Sequence, residues 1–69
     1  MHIGIVAYNI ASFLFEYDYF DARDAFGTET AALKSIIEDL KEHPQEVIKY
    51  LAEWDTPEAV GIIESIRTL

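Results

Sequence analysis

The chain has 69 residues, 51% of them hydrophobic, no cysteine, and 13 acidic against 5 basic side chains, for a formal charge of −8. The hydrophobic fraction excludes disorder by composition, and the lack of cysteine excludes disulfides and thiolate metal centres. The charge excludes direct binding of nucleic acid or anionic lipid, because both need Lys and Arg to displace counterions; its counterpart is a basic protein surface.

Residues 1–69 make one small domain. A core of this size rarely supplies more than about 3–5 kcal/mol, and close helix packing or self-association are the staples left when disulfides and metals are absent. A homodimer is therefore one expected way of completing the fold. The apolar run from Ile3 to Phe15 is too short to span a bilayer, and no basic residues precede it as in a signal peptide. A cytoplasmic location is expected.

At the N-terminus, Ile3, Val6, Ile10, Phe13, Tyr17 and Phe20 keep a three-four spacing, and Gly27 sits where a C-capping glycine belongs. This predicts one helix over 10–26, with an extension back to residue 3. The competing reading pairs residues 2–8 with the alternating segment 13–19 as a β-hairpin, giving an α+β chain. The link Asn9–Ser12 lacks the glycine that tight hairpins prefer, so the helix is the better reading.

The second half carries clear start signals. Thr28 is an N-cap, and Leu33, Ile36, Ile37 and Leu40 recur at helical spacing, predicting a helix over 29–42. His43-Pro44 ends it and starts another over 44–54, with Val47, Ile48, Leu51 and Trp54 as its apolar stripe. Asp55-Thr56-Pro57 repeats the capping device before a last helix lined by Ala59, Ile62, Ile63, Ile66 and Leu69. Lys34 with Glu38 and Lys49 with Glu53 stand four apart and suit weak surface pairs. The expected fold is all-α, a compact bundle of about four short helices.

The acidic-aromatic run Glu16 to Asp24 is the feature with functional content. Residues 16–29 hold five acids and one base, so a fifth of the chain carries half of the net charge. On one continuous helix, Phe15, Tyr19, Ala22 and Phe26 share a face, while Ile10, Phe13, Leu14 and Tyr17 fall nearly opposite. The first face suits the bundle core, which leaves Ile10, Phe13 and Leu14 as a candidate self-association stripe. Beyond them the second face turns acidic. Tyr17, Asp18, Phe20, Asp21 and Asp24 form a candidate partner-binding patch, with aromatic anchors and a carboxylate rim that sets on-rate and partner choice.

Catalytic and metal chemistry lack residues of the right kind. Asp18, Asp21 and Asp24 recur every third residue but rotate by about 60° at each step, which does not build an oxygen cage. His43 reads as a turn residue. Ser12, Ser35 and Ser65 have no companion histidine in a motif, and Gly4, Gly27 and Gly61 form no phosphate loop. No cofactor and no enzymatic activity are expected. In size, charge and freedom from cysteine the chain resembles phage-encoded inhibitors of host DNA-binding or defence enzymes. The resemblance implies carboxylates standing where phosphates would, inside the host cytoplasm. The alternative is a self-associating helical accessory module with no inhibitory role.

Overall fold

The computed structural model describes residues 2–69, and among these it forms five helices and no strand. In chain order they are α1 (Ile3–Tyr17), α2 (Tyr19–Phe26), α3 (Glu29–Glu42), α4 (Pro44–Leu51) and α5 (Pro57–Arg67). The all-α class holds, and the N-terminal hairpin is overturned: residues 2–20 are helical apart from His2 and a break at Asp18. Among the described residues no helix is long and apolar enough to cross a membrane.

α1 is the centre of the bundle. It packs chiefly on α3 and also meets α2 and α5. Val6, Ala7, Ile10, Ala11, Phe13 and Leu14 are all buried. Ala7 and Ala11 on α1 and Ala32 on α3 are fully enclosed, and such short side chains let helix axes approach closely. The radius of gyration, 10.8 Å, equals that of a tightly packed chain of this length.

The predicted single helix over 10–26 is split at Asp18, whose backbone (φ −140°, ψ 44°) is not helical. Its N–H donates to the Leu14 carbonyl and its own carbonyl accepts from the Ala22 N–H, so one residue closes α1 and opens α2. The physical reason lies in the two apolar faces of the run. A straight helix would bury Ile10, Phe13 and Leu14 and leave Ala22 and Phe26 on the far side. The break turns α2 back, so that Ala22 is buried and Phe26 packs against the same core. Tyr19, expected on the core-facing stripe, stays exposed instead.

Elsewhere local chemistry sets the ends. Gly27 adopts φ +84°, and its N–H caps the Arg23 carbonyl. Thr28 Oγ1 accepts from the Ala31 N–H and Thr56 Oγ1 from the Ala59 N–H, both at 3.1 Å. His43 is a second one-residue hinge (φ −139°, ψ 57°), held out of the helical region by Pro44. His2 caps α1, its Nδ1 accepting from the Gly4 N–H at 3.0 Å.

Three smaller expectations are corrected. α4 stops at Leu51 rather than running to residue 54, though Trp54 still packs edge-on against Phe13, 5.6 Å between ring centroids. Leu69 lies beyond α5 and is exposed. Among the described residues Glu64 with Arg67 is the one salt bridge, at 2.9 Å; Lys34 with Glu38 and Lys49 with Glu53 remain solvated. Long exposed side chains lose more entropy on pairing than water returns.

Gly27 and Gly61 have opposite tolerance. Nothing lies within 4 Å of a Cβ added at either Gly27 or Gly61, so backbone conformation alone decides. Gly27→Ala forces an L residue into positive φ and is expected to lower unfolding stability by about 1–2 kcal/mol. Gly61→Ala, inside α5, is expected to raise it by about 0.5–1 kcal/mol. Urea unfolding followed by circular dichroism checks both signs.

Candidate functional site

α2 has only two turns, and its sequence alternates between what the core takes and what it leaves outside. Ala22 and Phe26 face inward. Phe20 points away and is 71% exposed, more than any other large hydrophobic side chain described. Helical geometry puts Asp24 within roughly 40° of Phe20 around the axis, with Asp21 roughly 60° further.

The one base of this segment does not neutralise these acids. Arg23 lies over the neighbouring rings, its guanidinium carbon 5.7 Å from the Tyr19 centroid and 5.9 Å from that of Phe20. The rings themselves meet edge-on, Phe15 with Tyr19 and Tyr19 with Phe20, 6.1 and 5.4 Å apart. Phe15, Tyr19, Phe20 and Arg23 thus form one stacked cluster, held by ring quadrupoles and a cation–π contact. Among the described residues neither Asp21 nor Asp24 is held in a salt bridge.

The five candidate residues are divided by the break. Phe20, Asp21 and Asp24 share α2, with Asp18 at its start. Tyr17 belongs to α1 and serves a different purpose. Its ring packs on Phe13 at 5.0 Å, and its hydroxyl donates to Glu58 Oε1 at 2.6 Å, tying α1 to α5. That bond to a carboxylate, with loss of hydration and the charges of Glu16 and Glu58, pushes the Tyr17 phenol up to about 12. Ile10, Phe13 and Leu14, the candidate self-association stripe, are buried in the chain's own core and present no surface to a second copy. The bend at Asp18 is again the cause, since it brings α2 down beside them.

Asp18 faces α4, where the Tyr50 hydroxyl donates to its Oδ2 over 3.4 Å. Loss of hydration and the nearby Asp21 carboxylate raise the Asp18 pKa, and the Tyr50 bond only partly opposes them. The Tyr50 phenol is raised in turn, by partial burial and by the Asp18 charge. Asp21 and Tyr50 line a groove of about 390 Å³ between α2 and α4, and Asp18 adjoins it through its bond with Tyr50. Sequence reasoning gave Tyr50 no role. The available signal was an aromatic residue off the apolar stripe of its helix, beside Lys49. Among the described residues no three His, Asp or Glu side chains converge as a metal site requires.

Comparison with protein-family models, curated proteins and solved structures finds no match in any of the three. The functional reading therefore rests on geometry and charge.

Tyr17 supplies a pH test of the α1–α5 tether. Its raised pKa favours the neutral phenol in the folded state, so its contribution to stability is complete below the ordinary value of 10.0 and is lost as pH rises through about 12. In a near-ultraviolet absorbance titration, with circular dichroism reporting the fold, the Tyr17 phenol is expected to ionise near pH 12. Glu58→Gln should bring that step down, and Tyr17→Phe should flatten the alkaline fall in thermal stability.

Proposed function

We propose that this chain is a non-enzymatic acidic binding domain, an inhibitor or regulator, whose α2 face docks on a basic surface of a partner protein in the cytoplasm. The observation that carries this reading is Phe20, 71% exposed on the helix that bears Asp21 and Asp24, with Asp18 at its cap. An exposed ring ringed by carboxylates matches the anatomy of an interface hot spot with a charged rim. The partner surface is one that ordinarily binds nucleic acid, with Asp18, Asp21 and Asp24 in place of phosphates, as in the phage-encoded inhibitors the chain resembles in size and charge. Tyr17 adjoins the α2 face from α1, half exposed, with its hydroxyl bonded to Glu58.

Such binding is steered by charge, so it should weaken steeply with salt and yield to competing DNA or RNA. Affinity capture from lysate of the source organism at low salt is the direct test. The Asp18/Asp21/Asp24→Asn variant and Phe20→Ala are each expected to lose the captured protein. Equal recovery by the triple variant, or retention unchanged at high salt, overturns the reading.

Self-association has one observation in its favour. Ile5 and Tyr8 lie one turn apart on α1 and are 54% and 58% exposed, which gives a second copy an apolar footing other than the stripe expected from sequence. Sedimentation at increasing concentration checks it: a dimer lost on Tyr8→Glu supports this reading, and a monomer throughout removes it.

A further inference from the structure

The groove between α2 and α4 has a floor that neither helix provides. Ile10 and Leu14 of α1 and Ile36 of α3 form the bottom, with Phe26 and Val47 on the facing walls. All three floor residues belong to the core and are nearly covered by their neighbours, so the open apolar surface of the groove lies mainly on the half-buried Phe26 and Val47. Its volume of about 390 Å³ lies in the range of clefts that hold ligands.

Its rim has one sign of charge. Asp21 stands on the α2 side, Asp39 on α3 and Glu46 on α4; His43 is the other titratable side chain there besides Tyr50, and neither Lys nor Arg lines it. The apolar floor calls for an aliphatic or aromatic side chain, and the rim calls for positive charge on either side of it. A second copy of a chain with formal charge −8 meets this rim with repulsion. Nucleic acid and anionic lipid are repelled for the same reason. A neutral apolar molecule would leave three carboxylates without a counterpart.

We infer that this groove receives the apolar face of a cationic amphipathic helix from the partner, with Lys or Arg flanking the inserted side chains against Asp21, Asp39 and Glu46. This is the helix-in-groove mode, with apolar anchors at helical spacing. The inference rests on the proposed function and deepens it, since it states which segment of a basic partner is recognised. It adds a second apolar contact, on the inner side of α2, to that of Phe20 on the outer face of the same helix.

Two synthetic helical peptides of equal charge separate the possibilities. One presents leucines at helical spacing among lysines; in the other each leucine is alanine. Calorimetric titration at low salt is expected to give about tenfold tighter binding of the leucine peptide, with methyl shifts at Ile36 and Val47 by NMR. Ala25→Trp, which fills the groove from the exposed side of α2, should abolish that advantage while leaving the alanine peptide's affinity unchanged. Equal affinity for both peptides, or shifts centred on Phe20 and absent from Ile36 and Val47, overturns the groove and leaves the charge-based reading standing. Binding of neither peptide overturns both.

Discussion

The break at Asp18 is the constraint on which the rest of this structure depends. The first 26 residues carry apolar side chains on two sides of what would be one helix, and a single core accepts only one side of a rigid rod. Bending at Asp18 lets both sides converge: Ile10 and Leu14 from α1 meet Ala22 and Phe26 from α2 around one groove. At the bend the Asp18 N–H and carbonyl both keep helical partners, Leu14 on one side and Ala22 on the other. What it costs is electrostatic. It holds the Asp18 carboxylate near that of Asp21, where partial dehydration and repulsion disfavour its ionised form.

Everything exposed on α2 follows from that turn. Eight residues cannot bury three aromatic rings on one narrow face, so Phe26 goes in and Tyr19 and Phe20 stay out. Arg23 then finds the rings within reach and stacks on them, which leaves the aspartates without a cation of their own. A domain with so small a core sacrifices apolar area it could use for stability. The exposed ring cluster, the uncompensated carboxylates and the open groove are thus three results of one backbone choice.

Much of this fold is legible in the sequence alone. Thr28 and Thr56 cap as their positions imply, Pro44 and Pro57 begin helices, and Gly27 ends one with positive φ. These are local devices, and local chemistry decides them. The break at Asp18 is different in kind. No Gly or Pro marks it, helical periodicity continues through it, and only the demand of a shared core selects it. His2 is a related case, since an imidazole at an N-cap has no strong sequence signature. For the candidate site, Phe20, Asp21 and Asp24 were readable as surface because they lie on one short segment. The bond from Tyr17 to Glu58 was not legible, because its partner is 41 residues away. Tyr50, Asp39 and Glu46 were invisible as a set, because they adjoin Asp21 only once α2 has turned.

The two hinges show how the groove is held open. Asp18 and His43 adopt nearly the same backbone angles, and each hangs a short helix from the end of a long one, α2 from α1 and α4 from α3. The Tyr50 hydroxyl bonds across to Asp18, so the wall formed by α4 is tied to the residue that sets the direction of α2. Loss of hydration and the neighbouring Asp21 carboxylate make the ionised form of Asp18 the one the folded state disfavours. A cation brought to this end of the groove relieves the repulsion between Asp18 and Asp21. Among the occupants weighed for the groove, a cationic helix brings that charge together with an apolar face for the floor.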